Sequence, residues 1–342
     1  MENEEYAIIY REILKSLPSI LLYCGLFMKV AVIDLGTNTF HLLIARVDKV
    51  SHEILLRERK AVKIGEKGIN KGEITLAAWE RALTALNRFK TIIDEHQVDQ
   101  VFATATSAIR NASNGQDLVK EIHKQTGIEI EVISGMREAE LIHHGASKAL
   151  DFGSEKNLIM DIGGGSIEFI IADSNQAFWL RSFEVGGQRL VEKFHKSDPI
   201  TPEEIAELTA FFEAELQPLA EAWAEHHPTT LVGCSGTFDT LSDIYCEQTK
   251  AERDPDTTEY PFGIEAFKDI FTDLINKTRE ERLAIPGMIE MRVDMIVVAC
   301  VLVDYIIEKF HLKNIRVSAY ALKEGILYNV LDSLQKEINT SN

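Results

Sequence analysis

Two short segments of the sequence carry an aspartate, glycines and hydroxyl side chains in the same order. The first reads VAVIDLGTNTFHLLIA over residues 30–45, and the second reads NLIMDIGGGSIEFIIA over residues 157–172. Asp34 and Asp161 end the first apolar run of each segment, 127 residues apart. Turns rich in glycine and small hydroxyl residues present backbone N–H groups that bind phosphate oxygens, and a nearby carboxylate can hold a divalent cation. The repeat therefore predicts two related halves with a phosphate site between them.

The candidate ligands come from these two turns and from a third run of small residues, GCSGT at residues 233–237. A single such turn is also common in structural hairpins, so the prediction depends on finding three together. The phosphate-binding candidates are Gly36, Thr37, Asn38, Thr39, Gly163, Gly164, Gly165, Ser166, Ser235, Gly236 and Thr237. The candidate metal ligands are Asp34, Asp161 and Glu168.

Two residues within the second strands of these hairpins have open alternatives. Glu168 interrupts an apolar strand, where a carboxylate must be paired, bound to a metal ion or turned to solvent. It is therefore either a ligand or an outward-facing residue of the strand. His41 lies at the matching place in the first hairpin, and we expect a packed histidine there in preference to a ligand.

The composition is that of an ordinary globular protein, and its charge limits the classes of partner. The 342 residues are enough for two domains with cores of their own. The net charge of −18 argues against nucleic-acid binding, which needs a basic surface. A polyanionic ligand would need a locally basic pocket. The four cysteines are widely spaced, which favours free thiols in a reducing, cytoplasmic setting.

The first 27 residues differ in character from the rest of the chain. They begin with acidic residues and so lack the basic start of a signal peptide. Their apolar stretch, residues 17–27, is shorter than the roughly 20 residues that span a bilayer, so we expect no membrane association. Met28 directly precedes the first predicted strand. We therefore expect residues 1–27 to be an N-terminal extension and Met28 to be the natural start.

The periodicity of the remaining chain predicts strands mixed with crossover helices in both halves, which indicates α/β domains. The predicted strands are residues 30–35, 41–47, 54–62, 101–106, 129–133, 158–162, 168–172, 177–185, 230–233 and 315–318. The predicted helices are residues 77–97, 115–126, 137–149, 202–224, 238 onward, 291–310 and 321–335. Residues 254–262 are polar and contain proline, which predicts a loop.

The repeat resembles the phosphate hairpins of the actin-like ATPase superfamily, and the segment between its copies narrows the resemblance. That segment, residues 103–146, resembles the exopolyphosphatase / guanosine-pentaphosphate phosphatase family. The matching residues are Thr106, Arg110, Ala112 and Asn114, then Ile133, Ser134, Gly135, Glu138 and Ala139. The resemblance extends from Met28 to about Tyr328. The chain departs from the family's pattern near its end, where Ala319, Tyr320 and Lys323 replace the usual Asp, Gly and Arg.

The resemblance implies two actin-like (ribonuclease H-like) α/β domains around an interdomain cleft. Domain I would comprise residues 28–146, with a C-terminal helix of about residues 328–342 packed on it. Domain II would comprise residues 147–327, with a hinge near residues 145–157. By this resemblance the enzyme releases terminal phosphate from polyphosphate or guanosine pentaphosphate, and it acts as a homodimer.

The resemblance also implies roles for individual residues. Glu138, in the first turn of a helix, would be the general base that activates water, although a carboxylate there can also simply cap the helix. Arg110 and Asn114 would contact phosphate, and Mg²⁺ would be the cofactor. Four further basic candidates are Lys63, Arg189, Arg292 and Lys323. Two alternatives stay open, namely an ATP-dependent kinase or ATPase of the same superfamily, and a sensor that binds the alarmone or polyphosphate without turnover.

Overall fold

The computed structural model describes residues 27–48, 51–252 and 257–340, with side chains as far as Leu334. Nearly all of the predicted N-terminal extension, residues 1–26, lies outside the described residues, as does the part of the predicted polar loop at residues 254–256.

The first half of the described chain forms a five-stranded mixed sheet. Its elements are β1 (Met28–Leu35), β2 (Thr39–Val47), β3 (His52–Ala61), a 3-10 turn (Ile69–Lys71), α1 (Leu76–Glu95), β4 (Gln100–Ala105), α2 (Ser107–Arg110), α3 (Gly115–Thr126) and β5 (Ile130–Val132). The strand order is β3-β2-β1-β4-β5. The strand β2 is antiparallel to both of its neighbours, β1 and β3, whereas β4 and β5 run parallel to β1.

The second half repeats this arrangement. After α4 (Gly135–Ala149), its elements are β6 (Asn157–Ile162), β7 (Ile167–Ala172), β8 (Ala177–Phe183), α5 (Gly187–Phe194), α6 (Pro202–Glu215), α7 (Gln217–His226), β9 (Thr230–Cys234), α8 (Ser235–Thr249), β10 (Glu259–Tyr260), α9 (Ile264–Asn276), α10 (Arg279–Leu283), α11 (Met295–Phe310), β11 (Asn314–Ser318) and α12 (Leu322–Thr340). The strand order is β8-β7-β6-β9-β11-β10.

The order β8-β7-β6-β9-β11 corresponds strand for strand to β3-β2-β1-β4-β5, and only β10 is additional. The predicted actin-like α/β fold, with two equivalent sheets, is thereby confirmed. The proposed domain limits remain a prediction: the boundary at residues 146/147 falls within α4, which joins the two halves. Among the described residues, we find no helix with the length and apolar character needed to cross a membrane.

The central strand β1 is buried on both faces, which explains its continuous apolar run. Its alternate side chains point to opposite faces of the sheet. Ala31 and Ile33 belong to the core that α1 and α3 cover. Val30 and Val32 belong to a second core, which α4 and α12 cover. The last helix therefore packs on the first sheet.

The helices α4 and α12 cross at two glycines. A Cβ added to Gly145 of α4 would lie 2.2 Å from the carbonyl oxygen of Ala321, and one added to Gly325 of α12 would lie 1.8 Å from that of Leu141. Both distances are shorter than any real Cβ contact, so only glycine allows the two backbones to approach this closely. The crossing fixes α4, which carries Glu138, against the start of α12.

Three predicted elements are wrong in their limits. The helix predicted over residues 202–224 is interrupted at Leu216, because Pro218 in the first turn of α7 has no N–H to continue α6. The third small-residue turn is in part a helix, since α8 begins at Ser235. The helix predicted from residue 291 begins only at Met295, after a series of turns.

Candidate active site

A cavity of about 90 Å³ lies between the two glycine-containing turns. Every candidate residue of both turns lines it. The four candidate carboxylates Asp34, Glu138, Asp161 and Glu168 also line it, and so does Ser235. Four other predicted site residues lie outside its walls, namely Arg110, Asn114, Gly236 and Thr237. The cavity therefore brings together the residues of the repeat and the residue predicted to be the base.

The strand register shows that the two aspartates are structurally equivalent. Asp34 of β1 pairs with His41 of β2, and Asp161 of β6 pairs with Glu168 of β7. Each aspartate also lies beside the parallel strand of its own sheet, since Asp34 pairs with Thr104 and Asp161 with Cys234. The partners of the two aspartates differ, because a histidine in the first hairpin takes the place of the glutamate in the second.

Each glycine-containing turn is held by backbone hydrogen bonds from the segment that follows β3 or β8, respectively. Behind the first turn, the N–H groups of Val62 and Lys63 both donate to the Asn38 carbonyl, at 2.9 and 2.8 Å. Behind the second, the N–H groups of residues 186–188 donate to the carbonyls of Gly165, Gly163 and Gly164 at 2.8–3.2 Å. Because the protein satisfies these carbonyls, each turn is held in one conformation without a ligand.

The two turns face each other at contact distance. A Cβ added to Gly165 would lie 2.5 Å from Ser107 Oγ and 2.6 Å from Thr37 Oγ1, and one added to Gly164 would lie 2.9 Å from Asn38 Nδ2. Any side chain at either glycine would therefore force the two halves apart. The absence of side chains at these two glycines lets the second turn lie against the first. This explains why the second turn is richer in glycine.

The carboxylates around the cavity have unusually high pKa values. Burial raises the pKa of Glu138 to about 8, against the opposing effect of Arg110. Burial likewise raises the pKa of Asp34 to about 7, against the positive charge of Lys323. The pKa values of Asp161 and Glu168 are also raised by burial. Burial therefore disfavours the charged form of all four carboxylates, which lie close together around one cavity.

Hydrogen bonds hold three of these carboxylates in place. Ser182 Oγ donates to Glu168 Oε1 at 2.6 Å, and Ser235 Oγ donates to Asp161 Oδ2 at 2.6 Å. Glu138 Oε2 accepts from Arg110 at 3.0 Å. By contrast, Asp34 Oδ1 is buried without a hydrogen-bond partner in the described part of the protein.

These donors fit a hard divalent cation that takes its other ligands from water and phosphate. Within the described ranges, no group of three or more His, Cys, Asp or Glu residues is arranged to hold a metal ion unaided. Magnesium sites commonly use only one or two carboxylates together with water and substrate phosphates. The unsatisfied oxygen of Asp34 and the raised pKa values of Asp161 and Glu168 fit such a site.

Arg110 lies beside the cavity, in contact with carboxylates. Its guanidinium donates to Glu138 Oε2 at 3.0 Å, to Glu184 Oε1 at 2.9 Å and to the Ile133 carbonyl at 3.1 Å. Ser134 begins the helix α4 that carries Glu138, and its hydroxyl accepts from the Arg137 N–H at 3.2 Å. Sequence reasoning missed Glu184, whose only signal is its position between a strand and a pair of glycines.

Asn114 is placed away from the cavity. Its side-chain oxygen accepts from the N–H of Ile74 at 2.9 Å, and its amide nitrogen donates to the Ile74 carbonyl at 2.8 Å. Both ends of the amide therefore bind the backbone before α1. The structure does not bring this predicted phosphate ligand to the turns, because the amide already fixes a loop.

The third predicted turn contributes one residue to the cavity. Ser235 begins α8 and binds Asp161, while Thr237 is buried in the first turn of the helix. Gly236 lies under the guanidinium of Arg292, since a Cβ added there would lie 1.9 Å from Arg292 Nη2. The N-terminus of α8 therefore faces the site with its backbone N–H groups, which favours anions.

The similarity of this chain to known proteins identifies its family. The sequence profile of the Ppx/GppA phosphatase family matches residues 43–334. The chain belongs to this family. Similar solved structures include an exopolyphosphatase from Cytophaga hutchinsonii, which is 45% identical in sequence to this chain. The two structures superpose with a TM-score of 0.87 over 90% of this chain and 98% of that chain. The Ppx/GppA family member of Aquifex aeolicus is 26% identical with a TM-score of 0.73, over 91% of this chain and 99% of that chain.

A curated relative extends well beyond the matched region. The guanosine-5'-triphosphate,3'-diphosphate pyrophosphatase of Aeromonas salmonicida is 26% identical over 301 residues. The match covers 88% of this chain but only 59% of the relative. This chain thus spans about three-fifths of the length of that relative.

A second cavity of about 100 Å³ adjoins the first and has several basic side chains in its walls. Arg59, Arg292 and Lys323 line it, and Asp34, His41 and Ser235 line both cavities. Burial and the neighbouring charges of Lys323 and Arg292 lower the pKa of His41 to about 3, so its imidazole is neutral. Lys323 Nζ lies 3.2 Å from Glu324 Oε1.

Proposed function

We propose that this protein is a phosphohydrolase that releases terminal inorganic phosphate from polyphosphate or guanosine pentaphosphate. Water attacks the terminal phosphorus, and the bond from that phosphorus to the bridging oxygen breaks. Orthophosphate and a substrate shorter by one phosphate are the products. The family of the chain and the names of its relatives support this reaction class.

The position of Glu138 is the observation on which this proposal depends. It is a buried carboxylate that faces the same cavity as both turns, and burial raises its pKa to about 8. A carboxylate with this pKa is a stronger base than an ordinary glutamate, and it suits a general base that works near neutral pH. The Arg110 guanidinium opposes the rise and keeps part of the Glu138 population ionised.

The two turns would supply most of the positioning that phosphoryl transfer requires. Backbone N–H groups of both turns bind the terminal phosphate, and the hydroxyls of Thr37, Thr39 and Ser166 add donors from the cavity walls. Glu138 orients the water opposite the bridging oxygen and accepts its proton. Because the protein holds the turns before substrate arrives, little reorganisation accompanies the reaction.

We propose Mg²⁺, or a similar divalent cation, as the cofactor. Asp34, Asp161 and Glu168 would hold it, directly or through water. When bound, the cation would neutralise charge on the phosphate oxygens. It would also offset the negative charge of the carboxylates that are ionised.

Replacement of Glu138 by glutamine tests the proposal. Glu138→Gln keeps the size of the side chain but cannot accept a proton, so phosphate release should fall by about 10²- to 10⁴-fold. Polyphosphate binding should persist, because the turns are unchanged. Glu140→Gln is a matched control, since Glu140 lies on the same helix but is exposed and paired with Arg137. Phosphate release and polyphosphate binding are measured for the wild type and for both variants.

Three results would contradict this proposal. Activity like that of the wild type in Glu138→Gln would remove Glu138 from the mechanism. ADP formation from ATP without phosphate release from polyphosphate would indicate a kinase, whereas tight binding without any turnover would indicate a sensor. Side-by-side rates on polyphosphate and guanosine pentaphosphate would establish which substrate is preferred.

Two further expectations belong to this proposal. We propose a homodimer, which the sedimentation of the purified protein would test. We also propose a reducing, cytoplasmic setting, since Cys234, Cys246 and Cys300 are free thiols.

A further inference from the structure

We propose that Glu184 is a positioning residue of this site, whose carboxylate holds the Arg110 guanidinium beside Glu138 until a substrate phosphate replaces it. The inference rests on the proposed function, because it assigns an exchange of partners to the same site. Glu184 follows β8 of the second sheet, whereas Arg110 ends α2 in the first half. The contact therefore crosses between the two halves.

Three donors converge on the Glu184 carboxylate. Arg110 Nη2 donates to Oε1 at 2.9 Å, while Ser107 Oγ and Arg189 Nη2 donate to Oε2 at 2.5 and 3.2 Å. Two guanidinium groups and a hydroxyl are the donor set with which proteins bind phosphate oxygens. Glu184 therefore occupies an anion site that the protein builds from both halves.

This anion site adjoins the phosphate turns. Ser107 Oγ lies 2.5 Å from the place that a Cβ on Gly165 would take, and Gly165 lines the main cavity. The second nitrogen of the guanidinium, Arg110 Nη1, lies 3.0 Å from Glu138. Arg110 thus contacts both the candidate base and Glu184. It lies beside the cavity in which a phosphate would bind.

The solvent exposure of Glu184 and Glu138 indicates which of them a substrate phosphate can displace from Arg110. The Glu184 side chain is 43% exposed and the Glu138 side chain 8%. Water screens an exposed ion pair, so that its net contribution is small. A phosphate group carries more charge than a carboxylate and can displace Glu184 from Arg110, while Glu138 stays in place.

A purely structural role for Glu184 would be to fasten the two halves together, and Glu192 offers a control for that role. Glu192 Oε1 accepts from the Lys67 N–H at 2.7 Å, and its other oxygen accepts from Asn70 at 3.3 Å. It therefore connects the second half to the first without touching Arg110. Glu184→Gln and Glu192→Gln change the net charge equally and each alters one bridge between the halves.

The test uses calorimetry to measure the affinity of the protein for imidodiphosphate. The P–N–P bridge of this ligand resists hydrolysis, so binding is measured without turnover. Because an exposed competing carboxylate is removed, Glu184→Gln should bind about two- to fivefold more tightly than the wild type. Glu192→Gln should bind like the wild type. Glu184→Asp, which keeps the charge but shortens the reach to Arg110, should also bind more tightly. The KM for polyphosphate should fall in parallel in Glu184→Gln.

Each outcome has a distinct meaning. Unchanged or weaker binding in both Glu184 variants, or the same change in Glu192→Gln, would overturn the inference in favour of a fastening role. Absence of imidodiphosphate binding by the wild type would overturn the inference together with the proposed substrate class. Tighter binding in Glu184→Gln by a protein that releases no phosphate would support the inference and overturn the proposed function. The midpoint of thermal unfolding of each variant identifies a folding defect.

Discussion

Arg110 and Glu138 form a largely buried ion pair, with Arg110 Nη1 3.0 Å from Glu138 Oε2. The pair joins the end of α2 to the first turn of α4. Burial raises the pKa of Glu138, and Arg110 limits that rise. The sequence motif suggested that Arg110 grips phosphate. In the structure the same guanidinium also determines how readily the candidate base gives up its proton.

The first prediction concerns the dependence of the reaction on pH. Glu138 acts as a base only when ionised, so kcat/KM should increase with pH, with a midpoint near the pKa of about 8. Arg110→Met removes the positive charge that favours ionisation, and the midpoint should move to higher pH. Arg137→Met, on the same helix but paired with exposed Glu140, is the control. An unchanged or lower midpoint in Arg110→Met would contradict the inference that Arg110 favours the ionised form of Glu138.

The second prediction concerns Asp34 and the stability of the protein. Its pKa rises from 3.8 to about 7 on folding, so the folded state binds more protons than the unfolded chain between these values. This group therefore lowers the free energy of unfolding as pH rises from about 4 to about 7. In metal-free buffer at pH 7.5, Asp34→Asn should have a higher midpoint of thermal unfolding than the wild type.

Magnesium should offset the destabilising negative charge of the Asp34 carboxylate. It should raise the unfolding midpoint of the wild type at pH 7.5 and raise that of Asp34→Asn by less, because one ligand is lost. Asp117→Asn is the control, since the side chain of Asp117 is 70% exposed. Equal magnesium effects in the wild type and Asp34→Asn would speak against Asp34 as a ligand, and chelator-resistant activity would speak against the cofactor.

The third prediction concerns the crossing of α4 and α12. Alanine normally stabilises the interior of a helix relative to glycine, by roughly 0.5–1 kcal/mol. At Gly145, however, the new methyl would lie 2.2 Å from a backbone oxygen. Overpacking costs about 1–3 kcal/mol and should prevail, so Gly145→Ala should lower the free energy of unfolding in urea. Gly263→Ser is the control, because nothing lies within 4 Å of a Cβ there.

The fourth prediction distinguishes two roles for Asn114. Asn114→Ala removes two hydrogen bonds to Ile74, which should lower the free energy of unfolding by about 1–3 kcal/mol. Its affinity for imidodiphosphate should match that of the wild type, because the side chain lies outside the cavity. Asn87→Ala, which removes two water-exposed hydrogen bonds on α1, should lower the free energy of unfolding by less and leave the affinity unchanged. Weaker imidodiphosphate binding in Asn114→Ala would support the role that the family resemblance implied.

The repeat made the hairpins predictable. In a strand the side chains alternate between two faces, so a continuous apolar run predicts burial on both faces, as in β1. The equivalent positions of Asp34 and Asp161 followed directly from the alignment of the two segments. The two turns, with Asp34, Asp161 and Glu168, could therefore be predicted to form one site from the residue pattern, whereas Glu138 came from the family resemblance.

Contacts between distant segments could not be predicted in the same way. Glu184 fell within the strand predicted over residues 177–185 but follows the end of β8 at Phe183. Its contact with Arg110 depends on how the two halves close. The break between α6 and α7 had a local signal in Pro218, which the amphipathic pattern outweighed. Gly325 had a weak signal, since a glycine inside a helical pattern commonly has a packing reason. Its partner Gly145, however, lies 180 residues earlier in the chain.

The packing of α12 on β1 has a consequence for the order in which the protein can fold. One core contains Met28 and Val30 from the first strand together with Leu327, Val330 and Leu334 from the last helix. Domains often fold during synthesis, beginning with the N-terminal one. Here the first sheet lacks one of its covering helices until α12 has left the ribosome. We therefore expect the support of Glu138 to be completed only after α12 has been synthesised.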